Sequence, residues 1–133
     1  MKSTRIMAAA LLILGSGLTL HAARAQQVGI HRTDLLQHDL GVPGREAVQV
    51  RVDFDPGAVA AGHSHPGEEI AYVLEGSLEY QLDGKAPVTF KAGDALFIPA
   101  GTVHSAKNVG SGKASELATY VVRKGAPLVV PAR

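Results

Sequence analysis

The segment His63-Ser64-His65-Pro66-Gly67-Glu68-Glu69 gathers residue types that hold divalent metals. His63 and His65 are two apart, so on an extended strand both rings project from one face. Glu69 is four residues beyond His65, an even offset, and shares that face if the strand persists through Pro66-Gly67. Two imidazoles and a carboxylate form a 2-His-1-carboxylate set, a recurrent ligand group for non-haem iron and related divalent ions. Burying these groups with neither metal nor counter-charge would be expensive. Taken alone, the segment also fits an exposed turn.

A third histidine widens the pattern. Gly57, five residues, His63-Ser64-His65, three residues, Glu69, six residues and Gly76 form one spaced series. Gly93, five residues, Pro99-Ala100-Gly101, two residues, His104, three residues and Asn108 form another, and sixteen residues separate the two. Together they resemble the first and second motifs of the cupin superfamily over Gly57 to Asn108, with no departure at any fixed position. The resemblance implies an all-β fold, the cupin double-stranded β-helix barrel, with one metal inside. It assigns His63, His65, Glu69 and His104 as ligands. It also implies a homodimer.

The remaining motif positions have plainer roles. Gly57, Gly76, Gly93 and Gly101 suit tight turns or positive φ, and Pro99 fixes a turn. Asn108 is expected to cap a loop. Glu68 has the opposite parity to the ligands and is expected to face outward, with a supporting acid–base role as the alternative. Tyr72 is also of opposite parity and suits packing between sheets or at a dimer interface, unless a bulge shifts it into the pocket. His31 and His38 fall in an unpatterned stretch and read as surface residues. Arg51 has the wrong parity in its strand to face a pocket.

The elements that must carry these residues are short. Val48, Val50, Val52 and Phe54 alternate with polar residues, as a half-buried strand does, and Asp55-Pro56-Gly57 ends the run. Further strands are expected over 70–74, 77–82, 87–90, 95–98, 103–107 and 116–122, with Asp83-Gly84 as a two-residue hairpin turn. No stretch after residue 25 has a sustained helical period. Short strands with frequent turns mean a sandwich or barrel. Residues 46–124 are the expected barrel, 26–45 an arm containing an opening strand and loop, and 125–133 an extended tail that could lie on a neighbouring subunit.

Residues 1–25 read as a signal peptide. Lys2 and Arg5 precede an apolar run from Ile6 to Leu20, and Ala23-Arg24-Ala25 offers a small-x-small cleavage site. The run is short for a membrane span, which needs about 20 residues. Cleavage after Ala25 would remove three bases and no acid, leaving 10 basic residues against 12 acidic ones. A mildly acidic domain of about 108 residues, with no basic patch, argues against nucleic acid and anionic membranes as partners. The absence of cysteine excludes disulfides and thiolate ligands. Export places the domain in the periplasm or outside the cell.

Three imidazoles and a carboxylate leave about two positions open in an octahedral shell, as a catalytic or ligand-binding ion requires. Iron, manganese, nickel, copper and zinc all suit nitrogen and oxygen donors, and intrinsic affinity favours copper and zinc. The expected function is therefore a metal-dependent small-molecule enzyme. The resemblance extends this to a quercetinase-like oxygenase, with isomerase or lyase chemistry as alternatives and Glu69 as both ligand and catalytic base. Val50, Val52, Ala71, Val73, Phe97 and Val103 would give the small-molecule pocket an apolar lining with few inward charges. Two other classes remain: a non-catalytic binding protein for metal or small ligands, and a structural cupin that recruits a protein partner.

Overall fold

The computed structural model describes residues 27–133, so the expected leader and its cleavage site lie outside the described residues. The strands are β1 (Ile30–Asp39), β2 (Arg45–Phe54), β3 (Val59–Ser64), β4 (Gly67–Glu75) and β5 (Ser77–Leu82), followed by β6 (Val88–Lys91), β7 (Ala95–Ile98), β8 (His104–Asn108), β9 (Ala114–Arg123) and β10 (Val130–Pro131). They form two five-stranded antiparallel sheets, in the orders β1-β2-β9-β4-β7 and β10-β3-β8-β5-β6. Among the described residues there is no helix.

Alternation of apolar and polar residues decides which face turns inward. On β2, Val50, Val52 and Phe54 are buried, while Arg51 faces outward and pairs with Asp53 at 2.9 Å. On β9, Ala114, Glu116, Ala118, Tyr120 and Val122 are buried. Leu78, Tyr80, Leu82 and Ala106 line the opposing sheet. The core lies between these two faces, where each side chain leaves water on burial.

The opening stretch is a ten-residue strand despite its lack of period. It forms a sheet edge and only Ile30 is buried, so core contact imposes no alternation on the rest. A bulge between Asp34 and Leu36 shifts its register further. The Asp83-Gly84 connection also differs from a two-residue hairpin. Among the described residues no non-glycine residue has positive φ, so Asp83 cannot take its place in a type I′ turn. The loop instead spans residues 83–87, with Lys85 N donating to Leu82 O at 3.0 Å.

The tail does not leave the domain. β10 pairs with β3, placing Val130 opposite Ser64 and Pro131 opposite His63. Ala132 N donates to Gly62 O at 2.9 Å. Tyr72 is exposed rather than packed between the sheets, and Ile70, Leu74 and Phe97 are exposed as well. Phe97 pairs with Ile70 on the outer surface, and Val103 is also exposed, so neither belongs to the apolar lining expected from sequence.

Two sequence features have clear mechanical roles. Asn108 is buried and its amide donates to Phe54 O, Asp55 O and Gly112 O, while its oxygen accepts from Gly110 N. It therefore ties the loop after β8 to the end of β2. Gly67 lies where β4 meets β9, and a Cβ there would run into the Val121 carbonyl and the Val122 backbone. We expect Gly67→Ala to destabilise the fold by about 2–3 kcal/mol, the scale of overpacking in a dense core, as read by urea unfolding.

Candidate metal centre

A single strand could not bring His65 and Glu69 together. Four residues of extended chain span about 13 Å, far beyond the reach of a shared ion. The strand expected to persist through Pro66-Gly67 in fact stops: β3 ends at Ser64 and β4 starts at Gly67 in the other sheet. His63 and His65 therefore approach from one side and Glu69 from the other. His65 Nε2 and Glu69 Oε2 end 3.0 Å apart, and His104 Nε2 lies 3.2 Å from the same oxygen.

The neighbouring histidine is aimed by a bulge. Ala60 pairs with Ala106, but His63 pairs with His104, so β3 carries one residue more than β8 between these pairs. This switches inward parity from Ala60 to His63. Coordinating nitrogens of His63, His65 and His104 lie within 4.8 Å of one another, and all three residues are buried. Glu69 joins this trio through His65 and His104 and is only 2% exposed.

Each imidazole has its other nitrogen engaged. His63 Nδ1 donates to Ala61 O at 2.7 Å, His65 Nδ1 to Leu128 O at 2.6 Å, and His104 Nδ1 to Thr102 O at 2.9 Å. A neutral ring that donates from Nδ1 presents only a lone pair at Nε2. Thus unprotonated Nε2 atoms converge with a carboxylate, while buried His65 Nε2 and Glu69 Oε2 have no hydrogen-bond partner. Acceptors facing acceptors out of water repel unless a cation or protons lie between them. The donor set therefore fits a divalent metal ion, and the carbonyls fix ligand orientation from behind.

Electrostatics give the same picture. Burial pushes the His63 pKa down to about 4, aided by the neighbouring His104 and His65 and opposed by its bond to Ala61 and by Glu69. Burial alone would raise Glu69, but the His104 and His65 rings facing it outweigh that and draw its pKa to about 2. An ionised carboxylate among imidazole lone pairs needs protons or a cation beside it. With metal, coordination replaces the protons.

Other expected residues stay outside this cluster. His31 is exposed and lies 3.4 Å from Asp55, and His38 is exposed beside the Asp39 carbonyl. Glu68 is half-buried and has the opposite strand parity to Glu69. Glycines 57, 76, 93 and 101 all have positive φ, as expected.

The expectation of few inward charges needs correction. Glu116 is buried opposite Val52 and Val73, and its Oε2 has no hydrogen-bond partner. Burial first, and then the Glu69 carboxylate, raise its pKa well above the ordinary range, with Arg32 opposing. Tyr120 pairs with Glu69 across the sheet, and its ring centroid lies 4.6 Å from that of His65. Its pKa is also raised, by burial and then by Glu69 and Glu116. Arg32 pairs with Val52 on the inward side of β1 and reaches towards the Tyr120 hydroxyl. The alternation of 116–122 already marked Glu116 and Tyr120 as sharing a face; only the strand order shows that this face meets the histidines.

A family model described as "Cupin domain" matches residues 50–122. The chain belongs to the cupin family. Germin-like protein subfamily 2 member 2 of Arabidopsis thaliana is 37% identical over 87 residues, 59% of this cupin and 40% of the plant protein. Dimethylsulfoniopropionate lyase DddQ of Ruegeria pomeroyi is 38% identical over 45 residues, 34% of this chain and 22% of the lyase. The chain thus spans well under two thirds of these curated relatives.

Among solved structures, a double-stranded β-helix protein from Klebsiella pneumoniae aligns with TM-score 0.66 and 25% identity, over 83% of this cupin and 90% of that chain. An oxalate oxidase aligns with TM-score 0.65 and 25% identity, over 81% and 57% respectively. These likenesses support the barrel and include proteins named as enzymes.

The buried His63 makes apoprotein stability pH-dependent. Its folded pKa lies below the ordinary unfolded value near 6.5, so unfolded chain takes up the proton first. Its contribution is present above pH 6.5 and is lost as pH falls towards 4, by roughly 3 kcal/mol at full extent. Urea unfolding of metal-free protein should show stability falling over that window, with a shallower slope in His63→Asn.

Proposed function

We propose that this cupin is a metal-dependent enzyme acting on a small organic molecule, with His63, His65, Glu69 and His104 holding one divalent transition-metal ion. The observation carrying this reading is the convergence of three Nδ1-anchored imidazoles with a buried carboxylate. The ion would supply Lewis acidity, and with a redox-active metal it would also open oxidative chemistry. Iron, manganese, nickel, copper and zinc all suit the donors. Oxygenase chemistry of the quercetinase kind is the leading reaction class, while the named relatives keep oxidation and lyase chemistry in view.

The chain's own residues divide the work. Glu69 orients the site and accepts a proton from a substrate hydroxyl as that oxygen approaches. Val50, Val52, Ala71 and Val73 are inward-facing and exclude water around the substrate's carbon skeleton. Tyr120 and Glu116 offer hydrogen bonds to its polar groups. A separate cavity of about 400 Å³ is walled by Gln37, Glu46, Val48 and Leu128 among others, and Leu128 is also the residue whose carbonyl holds His65.

We further propose a homodimer through the exposed face of Ile70, Tyr72, Leu74 and Phe97, a cluster larger than isolated surface apolar residues. Export to the periplasm or medium follows from the leader pattern in residues 1–25.

The decisive experiment is elemental analysis with oxygen-uptake and substrate-turnover assays. About one equivalent of metal is expected, with loss in both His63→Ala and His104→Ala. Glu69→Gln should reduce turnover by roughly 100-fold or more while retaining part of the metal. Metal that stays bound in both histidine variants would refute the ligand assignment. Tight metal binding without turnover across oxygenated substrates would leave a binding protein.

A further inference from the structure

Two of the three backbone acceptors behind the histidines are local. Ala61 and Thr102 each lie two residues before the imidazole they hold. The third is not: Leu128 is 63 residues from His65. It lies in the short segment that leaves β9, turns through Gly125 and returns across the site. The segment is docked at several points. Leu128 packs against the core, Val130 and Pro131 pair with Ser64 and His63, and Ala132 N donates to Gly62 O.

We propose that this C-terminal strap, residues 126–132, is a working part of the site, with the Leu128 carbonyl as the positioning group that makes His65 a metal ligand. The inference rests on the metal reading above, but its structural half concerns His65 alone. Carbonyl acceptance from Nδ1–H selects the tautomer with an open Nε2 lone pair and fixes the ring plane. His63 and His104 retain their acceptors when the strap is absent, because those carbonyls belong to the β3 bulge and to the turn before β8. Undocking the strap therefore disarms one of the three histidines.

The physical consequence is specific. Without the Leu128 carbonyl, the His65 ring regains both tautomers and more than one orientation. Its Nε2 is then open for only part of the time, and metal binding must supply the ordering free energy. Losing an outer-shell hydrogen-bond partner of a ligating histidine lowers metal affinity roughly 10- to 100-fold in general. The strap's main-chain bonds, rather than the identity of its side chains, carry the effect.

The test compares full-length protein with a chain ending at Gly125 and with Ala132→Pro, which removes the N–H bonded to Gly62 while retaining every other strap residue. Nitrogen-15 NMR of the metal-free imidazoles reads tautomers, and zinc titration reads affinity. Expected results are a mixed tautomer at His65, unchanged Nδ1–H forms at His63 and His104, and a roughly 10- to 100-fold weaker zinc site in the truncated chain. Ala132→Pro should show a smaller change in the same direction and serves as the test should truncation prevent folding. A folded variant with full zinc affinity and an unaltered His65 tautomer would overturn the proposal, as would equal tautomer changes at all three histidines. If full-length protein binds no zinc, the metal reading fails separately, while the tautomer comparison still decides whether the strap positions His65.

Discussion

Three buried imidazoles spend their Nδ1–H groups on backbone carbonyls, which leaves their Nε2 atoms turned towards one another and towards Glu69. That constraint organises much of the fold around it. Such a group of acceptors is unfavourable away from water until positive charge satisfies it. It also cannot be dispersed, because every ring is held from behind and the residues lie within the barrel. The same repulsion that would destabilise an unoccupied core makes the cluster suited to a cation.

Each anchor has a different structural origin. The Ala61 carbonyl comes from the extra residue in β3, and that irregularity also changes which side chains face inward. The Thr102 carbonyl follows the Pro99-to-Thr102 turn that leads into β8. Leu128 arrives from the far end of the chain. Glu69 is contributed from across the barrel, where β4 pairs with β9 and places it opposite Tyr120. A bulge, a turn, a sheet crossing and a returning tail thus meet at one point. Damage to any of them would be felt at the site even with every ligand residue unchanged.

The interior is not uniformly apolar beyond the ligands. Val50, Val52, Ala71 and Val73 form dry surface, but Glu116 brings a carboxyl into the same barrel, and Tyr120 brings a phenol beside His65. Burial favours their neutral forms, in which both can donate hydrogen bonds. The barrel interior therefore combines dry surface with a few directional polar groups. Outside the barrel, the exposed Ile70, Tyr72, Leu74 and Phe97 follow from ordinary strand alternation.

Local sequence determined much of this protein. Strand alternation in Val48–Phe54 and residues 77–82 revealed inward faces, and glycines at 57, 76, 93 and 101 marked turns that do adopt positive φ. The spacing of the histidines and Glu69 pointed to their chemistry because ligand types and motif spacing are local facts. It could not reveal that Glu69 approaches from the opposite sheet, since a four-residue offset reads equally well as one continuous strand. An opening strand was legible within residues 26–45 but its bounds were not, because β1 gains little core contact to impose a period. Glu116, Tyr120 and the Leu128 carbonyl acquired their places only when β9 entered the centre of a sheet and the tail folded back. Pairing between distant strands decided those relations, and a backbone carbonyl carries no side-chain signature by which its partner could be read.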